Sequence, residues 1–246
     1  YMDSNNLPAY TSYVKVAKLF KNLSSKISEL EKQKYEHVVD IKDTAVIVSP
    51  IFVGDMFKKI NTAEYHLFMS ATIDDNFIST TLKIPKSEMK FIKSPSVFKP
   101  ENKSVVLINH DNYNYKKLQD KGNLVKIANL VQKILDENRT KNGIILTPSF
   151  YINEFVATMI RARTNINLIE HVRGTPLTDV LKQHKRDPRN TVLISPSMFE
   201  GIDLPNDQSR FQVFVKAPYP SIGDKRIKYI FDNYMDIYET MTLYKI

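Results

Sequence analysis

Apolar residues recur along the chain in two rhythms, that of an amphipathic helix and that of a buried strand. Between Tyr13 and Lys34 they fall at Val16, Phe20, Leu23, Ile27 and Leu30, spaced four, three, four and three, with Lys, Ser and Glu between. That predicts one helix with a single apolar stripe. A partner helix is expected for the stripe, though three heptads make no long coiled coil. Thr44–Val48 reads as a short buried strand ahead of Pro50, and His66–Met69 as another short apolar run ending in Ser70-Ala71-Thr72. Prolines at 85, 95 and 100 then punctuate a loop-like stretch, Lys83–Glu101, which predicts a domain boundary dividing 1–100 from 101–246.

From Ser104 onward the two rhythms alternate. Ser104–Ile108, Gly143–Thr147, Ile166–Ile169, Thr191–Ser195 and Phe211–Ala217 read as strands. Between them, Leu124, Ile127, Leu130, Val131, Ile134 and Leu135 mark a helix. Ser149 caps a second, carrying Ile152, Phe155, Val156, Met159 and Ile160. Thr175-Pro176 starts a third, reaching about Lys185. Lys225–Ile246 reads as one closing helix. Near-continuous apolar strands alternating with helices predict an α/β fold with a doubly wound parallel sheet, preceded by an N-terminal helical segment. Ligands of such sheets sit at strand carboxyl ends. That directs attention to Thr147-Pro148-Ser149, to Ser195 through Asp203, and to Lys216 through Asp224.

At 246 residues the chain suits one large domain or two small ones, and its 42% apolar and 25% charged content is globular. Cys is 0, which removes disulfides, Cys-ligated zinc, a Cys nucleophile and iron–sulfur ligation by this chain. The formal charge is +8 and the pI near 9.3. Such a basic excess suits a polyanion such as nucleic acid, or a Lys-rich surface serving solubility. The longest apolar stretch, Ala45–Val53, is broken by Ser49 and Pro50, short of the roughly 20 residues of a membrane span. No membrane partner and no secretory signal are expected, and a chain running from Tyr1 to Ile246 reads as a piece of a longer one.

The 6 glycines are Gly54, Gly122, Gly143, Gly174, Gly201 and Gly223. None is followed by Lys, so neither a phosphate-cradling G-K-[ST] loop nor a G-x-G turn is present. Asp136-Glu137 closes an amphipathic helix and reads as a solvated helix end. The five histidines, His37, His66, His110, His171 and His184, show no metal-ligand spacing, and no metal site is expected. The informative segment is Val192–Asp207, an apolar strand followed by a loop with two hydroxyls, a Glu-Gly pair and an Asp. Gly201 permits close backbone approach. Glu200 and Asp203 are placed to accept hydrogen bonds from ribose hydroxyls or to face a cation. The same residue types also build an ordinary strand–loop–helix connection.

The loop Glu200-Gly201-Ile202-Asp203-Leu204-Pro205-Asn206-Asp207 resembles motif V of superfamily 2 helicases, in the branch containing the XPD and DinG helicases, where the pattern is E-G-[IV]-D-[LFV]-P-G-[DE]. Asn206 replaces the usual Gly, and Asn also tolerates a left-handed backbone. Phe211–Ser221 is similar to the family's following strand and Pro-aromatic-Pro turn. Leu67–Ile73 resembles motif III, S-A-T-[LI], and Gly143–Phe150 resembles motif IV, a strand ending in a Pro-Ser-aromatic turn. The order III, IV, V covers roughly residues 61–224.

The resemblance implies that 1–100 holds the end of a first RecA-like motor domain, with Tyr13–Lys34 as the tail of its helical arch. It implies that 101–246 is the second RecA-like motor domain, cut before motif VI. It assigns nucleotide contacts to Glu200, Gly201 and Asp203. Ser70, Ala71 and Thr72 would couple nucleotide state to the cleft, and Thr147, Ser149, Phe150, Ser195 and Ser197 would hold the phosphates of single-stranded DNA. It implies ATP and Mg2+ in the parent protein, with motif I, the D-E-A-H motif and the four-cysteine cluster upstream of this piece. No complete catalytic set lies here. The partners implied are single-stranded DNA and the rest of the first motor domain, in a cytoplasmic, bacterial or phage protein. Two other readings remain open: a non-catalytic nucleic-acid-binding module with the motor fold, and an unrelated nucleotide- or sugar-binding α/β enzyme.

Overall fold

The computed structural model describes every residue except 1–6, 33–35, 43–44, 97–98, 100, 102–103, 109–112, 187–189, 200 and 246. The chain forms two compact units. One comprises Tyr1–Ser94 with Pro220–Thr240, and the other Pro95–Tyr219 with Met241–Ile246.

The first unit opens with α1, Leu7–Lys32, whose apolar stripe is exposed at Val16 and Phe20. Strands β1, His37–Lys42, and β2, Ala45–Pro50, pair antiparallel, His37 opposite Pro50 and Lys42 opposite Ala45. The buried strand expected at Thr44–Val48 is thus one arm of a hairpin, and its first three residues are exposed. An apolar run without alternation does not announce that only its far end, Ile51 and Phe52, meets a core. α2, Gly54–Ile60, and α3, Asp75–Leu82, follow. Gly54 is obligatory there, since a Cβ would stand 2.4 Å from the Leu82 carbonyl carbon. The apolar run near His66 forms no ladder. His66 and Phe68 pack on Phe57, while Tyr65, Leu67 and Met69 are exposed.

The second unit carries the parallel sheet. Ser104–Ile108 is not one of its strands: Val105, Val106 and Leu107 are 81%, 80% and 89% exposed. Strand-forming residues need a neighbouring ladder, and this segment has none among the described residues. α4, Lys121–Glu137, leads to β3, Gly143–Leu146, then α5, Phe150–Arg161, β4, Asn167–Glu170, α6, Leu177–Arg186, β5, Thr191–Ser195, and β6, Phe211–Phe214. The strand order is β4-β5-β3-β6 and every pairing is parallel. Continuous apolar strands serve two cores by turning alternate residues to opposite faces. Ile145, Val192 and Ile194 join Leu124, Val131, Leu135, Val156 and Ile160 of α4 and α5. Ile144, Leu146 and Leu193 join Val180 of α6, with Met198 and the half-buried Ile202 and Leu204. Helices cover both faces, so the sheet is doubly wound and RecA-like.

Two buried polar side chains hold the loops around this sheet. Asn142 accepts the amide of Thr191 at 2.8 Å and donates to the carbonyl of Asp207 at 2.8 Å. His184 reaches the Gln208 carbonyl through Nε2 at 2.7 Å, while its Nδ1 has no partner among the described residues. Burial pushes the His184 pKa below its ordinary value, only partly opposed by the Gln208 carbonyl.

The helix expected over Lys225–Ile246 is two helices, α7, Lys225–Asn233, and α8, Met235–Leu243. The break is Tyr234, at φ −140 and ψ 62, whose hydroxyl donates to the Glu36 carboxylate at 3.0 Å. α7 lies along the hairpin. Lys225 pairs with Asp40 at 3.3 Å, and Arg226 donates to the Ile51 carbonyl at 2.9 Å.

Candidate functional site

The carboxyl ends of β3, β4 and β5 meet in a buried polar node. After β3, Thr147 is fully buried. Its amide bonds the Ser195 carbonyl at 3.0 Å, and its hydroxyl donates to Oδ1 of Asn153 at 3.0 Å. Asn153, on the first turns of α5, passes the connection on by donating to the His171 carbonyl at 3.3 Å. Ser149 is the N-cap of α5 and accepts the Ile152 amide at 3.4 Å, the cap expected from sequence.

His171 follows β4 and is buried. Its Nε2 faces the Thr175 carbonyl at 3.1 Å, and its Nδ1 lies 2.9 Å from the Ser195 hydroxyl and 3.1 Å from that of Ser197. A carbonyl only accepts, so the network assigns the proton to Nε2. In the neutral ring Nδ1 then accepts from the two serines. Ser195 in turn accepts the Ser197 amide at 3.2 Å. One imidazole therefore ties the loop after β4 to the loop after β5. Phe150 packs edge-on against this ring at 5.4 Å, and the Arg173 guanidinium lies over the other aromatic partner, 5.1 Å from the Phe150 centroid.

These residues sort by access. Thr147, Asn153, His171 and Ser195 are buried, and their side chains bond within the protein. Ser149 and Phe150 are half-buried, and Ser197 and Arg173 are exposed. The result is a surface of one hydroxyl cap, one ring, one exposed hydroxyl and one guanidinium, mounted on a rigid polar floor.

The loop after β5 continues to Gly201, at φ 75, a left-handed conformation that favours glycine. Asn206 also has positive φ, 56, so Asn takes the turn where the resembling pattern has Gly. Asp203 between them is exposed, while Ile202 and Leu204 beside it face the core. Glu200 lies outside the described residues. Ser70, Ala71 and Thr72 belong to the first unit and form an exposed turn closed by the Thr72 amide on the Ser70 hydroxyl at 3.2 Å. Among the described residues no group of three or more His, Asp or Glu side chains is placed to hold a metal ion, and no helix is long and apolar enough to cross a membrane.

With a parallel, doubly wound sheet, motif-bearing loops at its carboxyl edge and the left-handed Gly201 turn all in place, the chain invites comparison with motor domains. Residues 131–242 match the helicase C-terminal domain. No curated protein matches the chain. The match runs from the middle of α4 to the end of α8. It takes in the β3–α5 turn, the polar node and the whole loop from Ser195 to Asp207. Over this stretch the chain is similar to the helicase C-terminal domain, and its sheet has the RecA-like arrangement.

The carboxyl end of β4 was missing from the sequence expectations, which followed the ends of β3, β5 and β6. His171 stood there among five histidines without metal spacing. The rule that pointed to the other strand ends points equally to His171 and Arg173. Asn153 carries no such signal, because its partners are the backbone of one loop and the hydroxyl of another.

Proposed function

We propose that this chain is the C-terminal motor portion of an ATP-dependent DNA helicase of the XPD/DinG type, coupling ATP binding and hydrolysis to movement along single-stranded DNA. The observation that carries the reading is the carboxyl edge of the sheet. There the Ser149 cap, the Phe150 ring and the Ser197 hydroxyl share one rigid support, in the segment matching the helicase C-terminal domain. Hydroxyls and backbone amides suit phosphate oxygens. Thr147 and Ser195 support this surface from beneath. Glu200, Gly201 and Asp203 are the nucleotide-facing residues, and Ser70, Ala71 and Thr72 the coupling turn. The region up to about residue 100 is the end of the first motor domain, and that from 101 the second.

ATP would be held mainly by the first motor domain, which also supplies Mg2+. The residues described here offer only the ribose-side contacts. No step of hydrolysis is assigned to them. The lack of a G-K-[ST] loop in this chain favours one other reading, a nucleic-acid-binding module without ATPase activity.

The test is steady-state ATP turnover by the parent protein with and without oligodeoxythymidylate. Stimulation by the single strand, absent in this chain alone, is the expected result. A parent without ATPase that still binds the oligonucleotide establishes the non-catalytic module instead.

A further inference from the structure

We infer that Arg173 is a charged contact for the phosphate backbone of a single-stranded nucleic acid, held ready by Phe150 and His171. The inference rests on the reading of this face as a nucleic-acid surface and adds to it a residue that no motif marks.

Four other arginines near the sheet are engaged by polar partners. Arg139 pairs with Asp136, Arg161 with Glu170 and Arg210 with Asp207, while Arg163 donates to Asn129. Arg173 differs. Among the described residues no carboxylate pairs with it, and its guanidinium lies over the Phe150 ring, 5.1 Å from the centroid. That cation–π contact leaves the charge unneutralised and the N–H donors without a partner among the described residues. That is the form in which Arg meets phosphate bidentately.

The mounting is rigid. His171, two residues earlier, is buried and clamps the turn through its Nε2 on the Thr175 carbonyl. The Thr175 amide closes the same turn on the Val172 carbonyl at 3.1 Å. Gly174 within it has φ 88 and open space around it. The opposite side of the same imidazole holds Ser197. An exposed hydroxyl and an unpaired guanidinium are therefore displayed from two loops by one buried ring. A phosphate takes hydrogen bonds from both kinds of donor.

The test is binding of fluorescent oligodeoxythymidylate to this chain, followed by anisotropy across a salt series. Arg173→Gln is expected to raise Kd about threefold to tenfold. It should flatten the slope of log K against log salt by about 0.7, the share of one single-strand phosphate. Arg173→Lys keeps the charge and should keep the slope, with an intermediate Kd. Arg139→Gln, which removes the same charge from the amino edge of the sheet, should leave the slope unchanged. Arg173 is exposed, so thermal melts of its variants should match the wild type. If the wild type binds and Arg173→Gln binds equally well, or more weakly at an unchanged slope, the assignment of Arg173 is overturned and the nucleic-acid face stands. If the wild type itself fails to bind, the reading of the face falls and this inference with it.

Discussion

Nδ1 of His171 lies 2.9 Å from the hydroxyl of Ser195, and both residues are buried where the carboxyl ends of adjacent strands β4 and β5 meet. Ser197, bonded to the same nitrogen, is exposed. The pair of serines separates support from contact. Ser195→Ala should cost about 1–3 kcal/mol, because the His171 nitrogen and the Ser197 amide lose a buried partner. Ser197→Ala should change stability by no more than about 0.5 kcal/mol and instead weaken single-strand binding. Urea unfolding and anisotropy on the two variants read both effects, and equal stability losses would contradict the division.

Asp203 tests the nucleotide-facing loop. Its side chain is exposed and hydrogen-bonds no partner among the described residues, and the short helical turn that follows is preceded by Pro205 with no side-chain cap. Asp203→Ala should therefore leave the melting temperature of this chain within about a degree or two. In the parent protein it should lower ATP turnover. A drop in melting temperature with normal turnover would make Asp203 a structural residue.

Gly143 and Phe211 sit opposite each other in the β3–β6 ladder, and a Cβ on Gly143 would stand 2.3 Å from the Phe211 ring. Gly143→Ala should destabilise the chain by about 1–3 kcal/mol through overpacking. Combining it with Phe211→Leu should recover part of that loss, since the smaller side chain vacates the space. A double-mutant cycle with no coupling would show that the loss arises elsewhere.

His184 gives stability an acid limb. Its folded pKa lies below the unfolded value of about 6.5, so on acidification the unfolded chain takes up the proton first. Its contribution is fully present above about pH 6.5 and is lost as pH falls through that value toward the folded pKa. His184→Gln retains a donor for the Gln208 carbonyl and removes the titration. The difference in melting temperature between wild type and variant should therefore change between pH 8 and pH 5.5. A constant difference would exclude His184 as the source.

The sequence by itself determined the alternating strands and helices of the unit that carries the parallel sheet. Apolar runs bounded by turn residues located β3, β4, β5 and β6, three-four spacing located α4 and α5, and Ser149 announced its own cap. Strand-end logic also located Thr147, Ser149 and Ser195, because parallel sheets put loops, and therefore polar residues, at one edge. These are local properties, set by side-chain period and by which residues tolerate a given φ. The left-handed backbone at Asn206 was legible for the same reason. Tertiary structure alone decided the rest. Ser104–Ile108 has the residues of a strand but no ladder to join among the described residues, whereas β1 and β2 form a hairpin by pairing with each other. The closing helix breaks at Tyr234, whose hydroxyl bonds Glu36, far away in the chain. His171 became the hub of the polar node only because the order β4-β5-β3 sets its strand beside that of Ser195. Residue type marks what a side chain can bond to, but only the packing of distant segments supplies the partner.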